Sequence, residues 1–119
     1  QYALTWPERV KSPMARLDLT AMNDITFAAP NFDEFPCLSH ALNAARLGGT
    51  AGTVLNAANE EAVDAFRQHQ IPFLGIAAVV GRVLESADIR SESSLEGILD
   101  ADGEARVLAK REIAATVMA

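Results

Sequence analysis

Two histidines, one cysteine, a Gly-Gly-Thr run and a cluster of amides with one glutamate are where this sequence could carry chemistry. His40 and His69 lie far apart, without the His-x3-His or Cys-x2-Cys spacing that gathers ligands around a metal. No metal ligand is therefore assigned. His69 sits in a polar turn and reads as solvated. Cys37, near a helix N-terminus, is placed where a thiol pKa can fall, but a lone Cys beside Leu38 reads more simply as a small core residue. Gly48-Gly49-Thr50 opens a helix, which is a generic anion site, yet Arg46 is the only nearby cation and no Gly-x-Gly-x-x-Gly or phosphate loop is present. No cofactor-binding residue is assigned either.

Leu55-Asn56-Ala57-Ala58-Asn59-Glu60 is the most distinctive run. Asn is a poor residue inside a helix because its amide competes with the backbone, yet two lie here. At about 100° per residue, Asn59 falls beside the apolar stripe near Leu55 and Ala62, whereas Asn56 and Glu60 fall together on an adjacent face. Asn59 could hydrogen-bond a loop backbone across neighbouring helices, and Asn56 and Glu60 could contact another domain. Asn56, Asn59 and Glu60 are thus candidate domain-interface residues. A carboxylate with two amides lacks a nucleophile, a strong base or a metal partner, so no catalytic residue is assigned.

The elements that carry these residues are helical. Half of the residues are hydrophobic, many of them Ala, and aromatics are 6%, which favours closely packed helices over a β sandwich. One hundred and nineteen residues fit one small domain. A net charge of −6 argues against nucleic acid or an anionic membrane as partner. No apolar run reaches the roughly 18 residues of a membrane span, no signal peptide is visible, and one cysteine excludes an intrachain disulfide.

Residues 1–12 read as the last turn or two of a helix stopped near Pro7, with Tyr2, Leu4 and Trp6 uncovered; a helix end without a beginning predicts a longer parent chain. Leu17/Leu19 and Ile25/Phe27 alternate as weak strands within a Pro-flanked linker. A first long helix should start at Phe35-Pro36 with Leu38, Ala41, Leu42 and Ala45 inward, and stop at Gly48-Gly49. A second, from about Thr50 to Gln68, carries Ala51, Leu55, Ala58, Ala62, Ala65 and Phe66. After Ile71-Pro72, a third runs from Phe73 to Ser86 with Phe73, Ile76, Ala77, Val80 and Leu84 inward. Ser93 and Glu96 form a capping box for a short helical turn, which Asp100-Ala101-Asp102-Gly103 interrupts; Asp102 then caps a last helix carrying Ala105, Leu108, Ala109, Ile113 and Val117. The expected fold is mainly α: a small antiparallel four-helix bundle over 35–119, preceded by an extended linker with one or two short strands over 1–34.

Phe35-Pro36-Cys37-Leu38, Gly48-Gly49-Thr50-Ala51 and Val54-Leu55-Asn56-Ala57-Ala58-Asn59-Glu60 resemble the C-terminal part of 1-deoxy-D-xylulose 5-phosphate reductoisomerases. Tyr2 to Arg9, Leu17-Asp18-Leu19 and Ile25 to Pro30 resemble the segment that leads into it, so the likeness covers essentially the whole chain. Gly52 departs from the family, which often has a bulkier residue or Pro there. The resemblance implies a parent enzyme that uses NADPH and Mg or Mn to turn 1-deoxy-D-xylulose 5-phosphate into 2-C-methyl-D-erythritol 4-phosphate in non-mevalonate isoprenoid synthesis. It implies a cytoplasmic homodimer with dinucleotide-binding, catalytic and C-terminal helical domains. The family's metal, phosphate and loop residues match no position here, so this stretch is expected to bind no cofactor and to be inactive alone. It would buttress the upstream catalytic domain, with residues 1–34 forming the end of that domain and a linker. The alternative is a free-standing helical interaction module. Apolar residues stripped of their neighbours also predict that the isolated piece self-associates through residues 1–30.

Overall fold

The computed structural model describes residues 1–22, 25–91 and 94–117. Five helices follow in order: α1 (Tyr2–Thr5), α2 (Pro36–Leu47), α3 (Ala51–Arg67), α4 (Phe73–Ser86) and α5 (Leu95–Val117). The last four make one helical body with α3 at its centre, packed against α2, α4 and α5.

Local chemistry sets the ends of these helices. Pro36 occupies the first turn of α2, where its missing N–H is not needed. Gly48 ends that helix at φ 70°, its N–H donating to the Ala44 carbonyl at 3.0 Å. The end of α3 is a Schellman turn: Gln70 N–H reaches Ala65 O and His69 N–H reaches Phe66 O, both at 2.9 Å. His69 takes the left-handed position usually held by glycine, at φ 59°, and is exposed as expected.

The core is narrow because α3 contributes small residues. Ala57, Ala58 and Ala62 are inaccessible, and Val54 is nearly so; they meet Val79, Val80 and Val83 of α4 and Ala105, Ala109 and Ile113 of α5. Val54 and Ala57 replace the expected Phe66, which lies at the margin with its ring edge-on to Phe73, centroids 5.7 Å apart. On α4, Val79 and Val83 turn inward and Phe73 turns out.

Three expectations are corrected. The apolar stripe of α2 faces outward: Leu38, Ala41, Leu42 and Ala45 are exposed, and the helix packs through Ala44 and the half-buried His40. The reason lies across the interface, where Gly81 of α4 leaves room for the His40 ring; a Cβ at 81 would stand 3.0 Å from its Cε1 and Nε2. Secondly, α5 is a single 23-residue helix that runs through Asp100-Ala101-Asp102-Gly103. One interior glycine costs only about 1 kcal/mol, and the buried Ala101, Ala105 and Ala109 form a continuous seam across the expected break. Asp102 accepts from Arg106 Nε at 2.7 Å instead of capping a helix. Ser93, the other half of the expected capping box, and the Val117 side chain lie outside the described residues.

Thirdly, no strand occurs among the described residues. Leu17/Leu19 and Ile25/Phe27 have the right alternation, but a strand exists only with a partner backbone to bond, and this chain brings none to them. Apart from Thr5, every described side chain over 1–34 is exposed, including Leu4 and Phe27 at 92% each. The arm therefore stands off the helical body, and the radius of gyration is 19.2 Å, against roughly 13–14 Å for a compact chain of this length. Its first residues hold themselves together: Tyr2 and Trp6 meet edge to face at 5.5 Å, and the Arg9 guanidinium lies 4.0 Å above the Tyr2 ring.

Candidate functional site: an open groove and the polar groups of α3

Gly48-Gly49-Thr50 proves to be a junction. Thr50 N–H donates to the Arg90 carbonyl at 2.9 Å, and Arg90 N–H donates to Thr50 Oγ1 at 3.0 Å. Thr50 is fully buried, and Gly49, at φ 53°, lies so close to Arg90 that a Cβ would overlap its carbonyl. The N–H and hydroxyl of Thr50, which could have met an anion, are thus engaged by the chain itself. The Arg90 side chain continues to α5, where Nη2 donates to Glu104 Oε2 at 2.7 Å.

Asn56 and Glu60 face α5. Asn56 Nδ2 donates to Glu60 Oε1 at 3.2 Å, and Arg106 Nη2 donates to Glu60 Oε2 at 2.7 Å. The same guanidinium bonds Asp102 at 2.7 and 3.2 Å and Glu61 at 3.4 Å. Hydrogen bonding from Arg106, then from Asn56, lowers the Glu60 carboxyl below its ordinary value. Arg106 is in turn raised, first by Asp102 and then by Glu60. This cluster joins α3 to α5.

Because the folded Glu60 binds its proton less readily than the unfolded one, its contribution to stability is present above the ordinary glutamate range. It fades as pH falls through the lowered value. In Arg106→Met the melting temperature should drop at pH 7, and the gap from the parent protein should narrow toward pH 3. Melting curves followed by circular dichroism across this range give the test; a pH-independent gap would remove the ion pair from the explanation.

Asn59 lies on the other flank of α3, away from Asn56 and Glu60. It lines a groove of about 460 Å³ between α2, α3 and α4, together with Phe35, Leu38, Val63, Phe73 and Leu74. The Asn59 side chain makes no hydrogen bond among the described residues, so the expected bond to a loop backbone is absent. Cys37 also lines the groove and is exposed, which corrects its reading as a core residue. Phe35, Phe73 and Leu74 keep 61%, 68% and 73% of their surfaces open. Three large apolar side chains open around one concavity mark a contact surface more strongly than isolated exposed ones do. The adjacent Phe73-Leu74 pair at a helix start was its visible signal in the sequence.

Among the described residues no group of three or more His, Cys, Asp or Glu is arranged to hold a metal. Nor is any helix among them long and apolar enough to cross a membrane.

The comparisons agree with this architecture. The family model of the DXP reductoisomerase C-terminal domain matches residues 1–108. The 1-deoxy-D-xylulose 5-phosphate reductoisomerase of Ralstonia nicotianae is 47% identical over 117 residues, covering 98% of this chain and 30% of that protein. Among solved structures, the reductoisomerase from Zymomonas mobilis in complex with NADPH matches 94% of this chain and 30% of its own, with a TM-score of 0.85 and 38% identity. A DOX-P reductoisomerase in complex with magnesium matches 96% of this chain and 31% of its own, with a TM-score of 0.82 and 39% identity. The chain thus spans about 30% of the length of the relatives it matches. The helical body alone is well under 94% of the chain, so the match to the Zymomonas mobilis structure also takes in most of the arm. With arm, Gly-Gly-Thr junction and helical body all aligned, the chain belongs to the DXP reductoisomerase C-terminal domain family.

Proposed function

We propose that this chain serves as the C-terminal part of an enzyme that rearranges and reduces 1-deoxy-D-xylulose 5-phosphate with NADPH and a divalent metal, Mg or Mn. In this reading residues 1–34 are the end of the catalytic domain and its linker. Residues 35–119 form an antiparallel four-helix bundle that buttresses the catalytic domain. The chemistry belongs to residues outside this chain, and the isolated chain binds neither cofactor. The whole enzyme works as a homodimer in the cytoplasm.

One observation carries the proposal: the apolar side chains of the arm are uncovered in a chain that spans about 30% of its relatives. Burying a large apolar side chain is worth about 1.5–3 kcal/mol, so such a row calls for a cover. The remainder of a reductoisomerase supplies one.

The test is a graft. This chain replaces the corresponding C-terminal stretch of the Ralstonia nicotianae enzyme, and NADPH oxidation is followed with substrate. Turnover comparable to the unmodified enzyme is expected, and none from the chain alone. A folded, inactive chimera would overturn the reading. Taken alone, the chain should self-associate through residues 1–30; light scattering that gave a monomer at high micromolar concentration would dismiss that part.

A further inference from the structure

We propose that the groove between α2, α3 and α4 is the socket for an apolar element of the part of the reductoisomerase that lies outside this chain; the inference rests on the function proposed above. The occupant's chemistry follows from the lining. Phe35, Leu38, Val63, Phe73 and Leu74 call for one or two large aliphatic or aromatic side chains. Asn59 calls for a backbone or side-chain group that pairs with its amide. Glu34 is the only charged residue of the lining, so the occupant's flank is neutral or basic.

The choice of a tethered partner over a second copy rests on size and position. A stable pair of free molecules buries about 800 Å² on each side, whereas a groove of about 460 Å³ takes only a side chain or two. A tethered partner has no such requirement, since its effective concentration reaches the millimolar range. The arm enters the helical body at Glu34-Phe35, and both residues line the groove, so the tether joins the body at the groove itself.

Cys37 is a built-in reporter, because it lines the groove, is exposed, and is the only cysteine of this chain. Its alkylation by iodoacetamide, read by peptide mass, is compared between the active chimera and this chain alone at low micromolar concentration. In the chimera the reaction should be about tenfold slower or more, since it then requires the docked surface to open. Leu74→Asp, at an exposed position that leaves the core intact, should return the chimera's rate toward that of the free chain. It should lower the melting temperature of the chimera but not of the free chain.

Equal rates in a chimera that still oxidises NADPH would overturn the socket and leave the family reading standing. Protection that grows with concentration in the free chain would overturn it in favour of a second copy. A folded chimera without turnover would remove the reading beneath the socket, and the socket with it.

Discussion

Gly49→Ala is expected to destabilise the folded chain by about 3 kcal/mol, from a left-handed backbone cost of about 1 kcal/mol and two hydrogen bonds of about 1 kcal/mol each. The new Cβ would overlap the Arg90 carbonyl, and backbone atoms cannot swing aside as a side-chain end can. Relief would require moving the 90 segment away, which breaks both Thr50–Arg90 hydrogen bonds. The melting temperature should fall by about 10 °C or more. Gly103→Ala is the contrast: its Cβ meets open space in the middle of α5, and the change should stabilise by about 0.5–1 kcal/mol. Urea denaturation followed by circular dichroism measures both. A Gly49→Ala protein within a few tenths of a kcal/mol of the parent would show that the junction does not hold the helices together.

Ala58→Leu is the second large effect. Ala58 is inaccessible at the middle of α3, among core residues from α4 and α5. Three added carbons have no space to enter, so side chains must leave their rotamers or α3 must shift, at about 3 kcal/mol. Ala45→Leu adds the same atoms on the exposed face of α2 and should change stability by less than about 0.5 kcal/mol. Thermal melts of the two proteins, side by side, decide the matter. If Ala58→Leu were as mild as Ala45→Leu, α3 would not be the packed centre of the body.

How far the fold was legible follows from which interactions are local. Both ends of α2 and α4 follow from Pro36, Gly48, Pro72 and the apolar period. The spacing of Asn56 and Glu60 puts them on one helical face, and the structure finds them hydrogen-bonded there. Non-local facts were not legible. The inward face of α2 depends on the room left by Gly81, forty-one residues after His40. Continuity of α5 depends on Ala101 and Ala105 being buried against other helices, which outweighs one glycine. Strand expectations over 17–27 failed because alternation is a property of the segment and pairing is not. For the candidate site, Asn59 could be placed beside the apolar stripe from spacing alone. The groove around it could not, since Phe35, Val63 and Leu74 come from three stretches of the chain that only the fold brings together.

The Thr50–Arg90 junction also closes part of the chain on itself. It ties residues forty positions apart into a closed ring that contains all of α3 and α4. No residue of α5 belongs to that ring, because α5 starts at Leu95. Within it α3 packs against α4, and the two together present an apolar trough. Ala105, Ala109 and Ile113 fill that trough. The ring and its lid thus share one core, and α5 closes it from outside the ring.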